Sequence, residues 1–387
     1  MGEITVKRQR SDIPNTGGTA TITAVSDLAN AFCLSGNNRK VSGGWDSAVG
    51  TMEADDLAGT ARLTAVDTIT YERPSGAAAA TARFDTEILD YTGAAGGPSE
   101  FIVRGRYTSG IISAGVATAT VAISGVVDPN RCIPIILGIW TDEATDGANR
   151  GSAFVYLDSA IQATVNCGGT SGRVIVRFAV VEFTGSEWSV GHGRSTIGAH
   201  AFDQGSIGLV EEADGDTTSG TPFSVGNWDT ACIFGQGKGD SLNDFNEAIA
   251  DQWPIYEPYT GGSASYNLGR VWYQFHADHD STLQTLFVHV LQHNRMNVQR
   301  MSDTQSLGGA MNVTIPVALS DMSGAFVIVS RTSSGTGTEY GRGWVNARIT
   351  STTNVELWAH RTGTVVASRI QVVDVSNLTV TRRVFTT

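Results

Sequence analysis

Lysine is nearly absent: Lys7, Lys40 and Lys238 are the only three in 387 residues, and charged residues as a whole make up 17%. With a net charge of −12, the chain has no basic field to hold nucleic-acid phosphates, so no nucleic-acid partner is expected. Proline is sparse at nine residues, and no apolar run reaches the 18 residues that a spanning helix needs, so no membrane insertion is expected. The start, MGEITVKRQRSDIP, lacks an apolar core segment, so no secretory signal is expected. Four cysteines without a CxxC pair exclude a zinc ribbon. Gly-x-Ser-x-Gly, Walker A and HExxH are all missing, so no enzyme and no cofactor is expected.

What is present is glycine (45 residues) with Thr, Val and Ala in short alternating runs, the pattern of all-β structure. Residues 151–185 read strand, strand, Gly-rich turn, strand, and Arg173–Phe183 is apolar enough for a strand buried on both faces. Residues 59–93 and 343–377 repeat this unit. Asp90 and Glu182, near the ends of two last strands, are 92 residues apart, and Leu63 and Leu157, on two first strands, are 94 apart. Two separate parts of the unit thus keep step, which a chance likeness between Val/Thr-rich strands would not. A lead-in with Asp27, Asp128 or Asp321 in its turn precedes each copy and reads as a hairpin.

The fold expected is a tandem array of about four antiparallel β-sandwich modules, Ig-like or jelly-roll-like. An arm over 1–18 precedes modules at 19–110, 111–200, 201–305 and 306–387. The third copy is the degenerate one, with a single short helix expected over Ser241–Asp251 in a long insertion. Residues 186–220, which include Gly191-His192-Gly193-Arg194-Ser195, read as an irregular loop, and Gly235–Asp240 as a Gly-rich turn.

Cys33, Cys132 and Cys232 fall on equivalent lead-in strands and read as small core residues, with a Cys132–Cys167 disulfide as an alternative. His276, His279, His289 and His293 are the only candidates for metal ligation. Lacking a ligand motif, they are expected at a polar interface or in solvent, with no metal. Asp90, Glu182 and Asp374, one per module, are expected to pair an arginine or a turn amide, not to form a catalytic dyad. Trp253, Tyr256, Tyr259, Trp272 and Tyr273, in a segment broken by Gly and Pro, are the candidate partner-binding residues. Packing of the insertion on its own module is the competing role.

Module ends such as RVIVRFAVVEFTG (Arg173–Gly185) and RITSTTNVELWAHR (Arg348–Arg361) resemble the β-sandwich repeats of tailed-bacteriophage virion proteins of the tail, fibre or head-decoration type. That resemblance implies a non-enzymatic structural role in a symmetric homo-oligomer that assembles in the host cytoplasm and leaves by lysis. Its partners would be copies of itself and other virion proteins. An adhesin or receptor-binding protein that uses the aromatic insertion on a host surface glycan is the alternative.

Overall fold

In the computed structural model the described residues are 4–40, 59–73, 81–93, 100–141, 152–168, 172–197, 204–239, 255–260, 268–274, 284–305, 309–333, 345–359 and 366–376. They form 24 strands and short 3-10 turns, with no α-helix among them. The helix expected over Ser241–Asp251 lies outside the described residues.

The strands fall into four sets of six. The first module has β1 (Ile4–Ile13), β2 (Gly18–Thr21), β3 (Ala31–Lys40), β4 (Gly59–Ala65), β5 (Thr68–Glu72) and β6 (Ala82–Tyr91). The second has β7 (Ile102–Thr108), β8 (Thr118–Ala122), β9 (Cys132–Thr141), β10 (Ala153–Ser159), β11 (Gln162–Cys167) and β12 (Val174–Glu182). The third has β13 (Trp188–Ile197), β14 (Gln204–Gly208), β15 (Ala231–Gly239), β16 (Ile255–Pro258), β17 (Arg270–Gln274) and β18 (Gln284–His293). The fourth has β19 (Asn297–Gln305), β20 (Gly309–Thr314), β21 (Ala325–Ser333), β22 (Val345–Ser351), β23 (Asn354–Ala359) and β24 (Val366–Asp374).

Every module is built alike. Its last strand lies between its first and third in one antiparallel sheet, and its fifth lies between its second and fourth in the other. The two sheets pack as a sandwich. Strand pairing therefore divides the chain one strand earlier than the composition does. β1 is no arm, since it pairs along its whole length with β6, and β7, β13 and β19 belong to the modules that follow them.

The lead-ins are also not hairpins. Second and third strands lie in opposite sheets, and the segment between them arches over the sandwich. Asp27, Asp128 and Asp321 cap the 3-10 turns of these arches, accepting from the amides of Ala29, Asn130 and Ser323, and Asn227 does the same in the third module. Aspartate before a small residue or proline serves a tight turn and such a cap equally well.

Modules share sheets as well as chain. β4 pairs with β9 at Gly59–Ile139 and Thr60–Gly138, and β10 pairs with β15 at Ala153–Gly237. Three- and three-stranded halves of adjacent modules thereby fuse into six-stranded sheets at the first two junctions. At the third junction β16 lies against β21 and β24. The array then closes on itself: β22 lies against β3 and β6, and β1 against the fourth module's 3-10 turn at 322–324.

Closure explains the apolar last strands. One face of each first–last–third sheet packs into its own sandwich, as Val174, Val176 and Phe178 do. The other face meets its counterparts from the remaining modules. Phe32, Phe101, Phe183, Trp188, Leu291, Val298, Phe326 and Val373 belong to one continuous buried core to which all four modules contribute. Phe32 meets Phe101 edge-on at 5.1 Å, and Phe183 meets Trp188 at 5.1 Å. A strand with core on both sides can carry few polar side chains, so the ones it does carry stand out.

Candidate functional site

Those polar side chains mark the junctions. On the last strands the position turned toward the preceding module is Glu87, Ala179, His289 and Gln371; its neighbours on the first strands are Arg8, Arg106, His192 and Arg300. Three of the four junctions are clamped by arginine. Arg106 donates to the carbonyls of Leu28 (2.8 Å) and Ala31 (2.6 Å). Arg300 donates to Trp228 (2.8 Å) and Ala231, and Arg8 to Met322 (2.8 Å) and Ala325. In each case one guanidinium spans the 3-10 turn of the module before it, through Nη1 and Nη2 in Arg300 and Arg8 and through Nη2 alone in Arg106, satisfying carbonyls that such a turn leaves open. Burial pulls the pKa of Arg106 and Arg300 below the ordinary arginine value.

The last-strand residues complete these clamps. Gln371 bonds both backbone groups of Ile233 at 2.9 Å, so one amide replaces a pair of ladder hydrogen bonds. Glu87 takes the Val327 amide (2.8 Å) with one oxygen and Arg8 (3.0 Å) with the other. Outer ion pairs run in parallel: Arg177 with Glu72, Arg369 with Glu257, and Arg10 with Glu356 at 3.6 Å.

The junction between the second and third modules has a different chemistry. His192 and His289 face each other with Nδ1 atoms 2.9 Å apart, both fully buried. His192 Nε2 lies 3.2 Å from the Asn130 carbonyl, which can only accept. That nitrogen therefore carries the proton, its Nδ1 accepts, and His289 donates from Nδ1. Desolvation lowers the His192 pKa to about 4 and that of His289 well below the ordinary value, with the His192 ring as a second cause for His289. Phe287 stacks on Phe154 and Tyr156 at 5.9 and 5.8 Å, where the other junctions place ion pairs. Pro134, which has no N–H, stands where the others place Cys33, Ile233 and Val327. Gln236 bonds the Pro134 carbonyl (3.0 Å) and the Val155 amide (2.8 Å) instead.

His289 was in view from the sequence; His192 was not. Gly191-His192-Gly193 reads as a loop, yet it lies mid-strand in β13. The glycines make room. A Cβ on Gly191 would stand 2.3 Å from the Phe223 ring, and one on Gly193 would stand 2.4 Å from the Gly208 carbonyl. Gly235–Asp240 is likewise mostly β15 and not a turn. His293, four residues along β18, sits opposite Trp188 and accepts from the Arg295 amide. Burial lowers its pKa to about 4. His276 and His279 lie outside the described residues, among which no group of three metal-ligating side chains occurs.

The aromatic candidates divide. Tyr256 and Tyr273 are cross-strand neighbours inside the third module's core, and the Tyr256 hydroxyl donates to the Gln236 carbonyl. They are not a binding surface. Rings reach the core because Gly235 and Gly205 lie beneath them, where a Cβ would stand 2.1 and 2.4 Å from the tyrosine atoms. Trp272 and Tyr259 are half-buried, and Trp253 lies outside the described residues.

The recurring acids hold the arches. Asp90 accepts from the Ser26 amide (3.0 Å) and hydroxyl (2.6 Å) and pairs with Lys7. Glu182 accepts from Val127 (3.0 Å) and Asp128 (3.2 Å) and pairs with Arg104 at 2.7 Å. Gln292 takes the Gly226 amide, and Asp374 takes Ser376, whose hydroxyl meets Ser320. Glu182→Ala strands two amides and a guanidinium, so a loss of about 2 kcal/mol is expected in urea unfolding. An unchanged midpoint would contradict this role.

All four cysteines are free and buried, so the Cys132–Cys167 bridge is not formed. Burial raises the Cys33 and Cys232 thiols to about 12. No helix among the described residues is long and apolar enough to cross a membrane. Comparison of the chain with protein-family models, curated proteins and solved structures finds no match.

Proposed function

We propose that this chain is a non-enzymatic structural component of a phage particle, acting as a symmetric oligomer. The observation that carries this reading is the use of the polar side chains together with the repeated strand edges. Among the described residues, Arg8, Arg106, Arg300 and Glu182 are engaged in holding arches and junctions. Meanwhile β2, β8, β14 and β20, the second strand of each module, each end a sheet among the described residues. Four like edges around one ring offer repeated places for a neighbour to add strands. The burial of Tyr256 and Tyr273 weighs against the glycan-binding alternative, which keeps only Trp272, Tyr259 and Trp253 of its aromatics.

Light scattering on the purified chain is expected to give an integral multiple of the chain mass, and antibody labelling is expected to mark particles in electron micrographs. A monomer that is absent from particles would defeat the reading.

A further inference from the structure

The four junctions do not respond alike to acid. An arginine clamp keeps its charge at every pH a protein meets, but an imidazole pair does not. We propose that the junction between the second and third modules is the acid-labile joint of the ring, held by the neutral His192–His289 pair and released when that pair takes up protons.

The geometry leaves no comfortable place for an added proton. His192 already donates to Asn130, and the one nitrogen free to accept is Nε2 of His289. That atom is buried beside the Val155 backbone, whose carbonyl favours the charged ring, but it makes no hydrogen bond of normal geometry. Charging it leaves an imidazolium with only the poorly aligned Val155 carbonyl to receive its proton, beside Phe287, whose ring is 4.8 Å away, and the partner histidine; charging both rings sets Nδ1 atoms of two cations 2.9 Å apart.

The surroundings offer little relief. β10 contributes Val155, and β15 contributes the neutral Gln236. On the 211–216 segment, Asp214 and Glu212 act on His192 through space without bonding it, and Glu212 is engaged with Thr221. Arg194, two residues along β13, is a cation and lies over Tyr156. The 3-10 turn supplies Asn130 and Arg131, and Arg131 bonds the Gly185 and Trp188 carbonyls.

Both histidines are held below their ordinary pKa when the joint is closed and return to it when the joint opens. Opening is therefore unfavourable above about pH 6.5 and gains roughly tenfold per histidine per pH unit below it, so about 100-fold per unit for the pair. The joint between the fourth and first modules runs the other way. Burial raises the Glu87 carboxyl, so acid protonates it more readily folded than unfolded, and its share of stability is not lost as pH falls.

Hydrogen exchange on the full chain tests this. Corrected for intrinsic rates, amides of β13 and of the β10–β15 contact are expected to lose protection steeply from pH 6.5 to 5, while those of β4–β9 and β19 hold. The double variant His192→Arg, His289→Gln copies Arg300 and Gln371, and its β13 protection is expected to keep only the shallower response, at most about tenfold per pH unit, that His293 opposite Trp188 still contributes. Equal pH response at all joints in the wild type would overturn the proposal. So would a variant that folds yet keeps the steep response. If the variant does not fold, the comparison of joints within the wild type decides alone.

Discussion

Gly138→Ala is expected to cost on the order of 4 kcal/mol, the largest loss of any glycine-to-alanine change among the described residues. Two causes add. Gly138 has φ +137°, a backbone conformation in which side chains are strained, and it lies where β9 passes beneath β4. An added Cβ would stand 2.2 Å from the Gly59 carbonyl oxygen and 2.7 Å from Thr60 Cα. Both are backbone atoms of a strand fixed in the first module's sandwich, so neither can turn aside as a side chain could. The shared sheet between the first two modules would have to part. Gly110→Ala separates the causes, since Gly110 has φ +68° with nothing within 4 Å of an added Cβ. It should cost only about 1 kcal/mol. Urea midpoints of the two variants, with exchange protection of β4 and β9, give the comparison. Equal losses would mean that the strands do not cross this closely.

Much of a module was legible in the sequence, and the reason is physical. A last strand such as Val174–Glu182 has core on both sides, so its apolar run survives in every copy whatever the loops do. The acids three residues past the junction position keep their spacing because Asp90 and Glu182 reach arch amides and Asp374 holds Ser376, whose hydroxyl meets the arch at Ser320. What stayed hidden depends on groups without a side-chain signature. Arg8 clamps carbonyls more than 300 residues away, and a backbone carbonyl is the same at every position. The β13 strand was masked by its glycines, which serve Phe223 and Gly208 and not a turn. Tyr256 and Tyr273 looked exposed because Gly and Pro surround them, yet other glycines admit their rings to the core. His289 was picked out as a type, but its role required His192, on a strand that composition reads as loop.

Ring closure is the feature least accessible from sequence, and Arg8 is where it can be cut. Arg8→Ala removes the donor to Met322 and Ala325 and leaves Glu87 facing the Val327 amide without its cation. Breaking a mostly buried pair of this kind is expected to cost about 3 kcal/mol. The same substitution at Arg106 or Arg300 should cost a similar amount but with a different consequence. Those residues join modules that stay tethered by a short connection, so a broken clamp is held close at high effective concentration. The joint at Arg8 has no such tether, since it brings together the first and fourth modules, the two ends of the array. Arg8→Ala should therefore let these modules separate, raising the radius of gyration in small-angle scattering and exposing β1 and β22 to exchange. Arg106→Ala and Arg300→Ala should lower the unfolding midpoint while leaving the dimensions near those of the parent. A chain permuted to begin in the 94–99 connection, with its old ends joined, should shift the sensitivity: Arg8→Ala would then leave the dimensions unchanged, and Arg106→Ala would open the ring. If all three arginine variants behave alike in both chains, the four modules do not close.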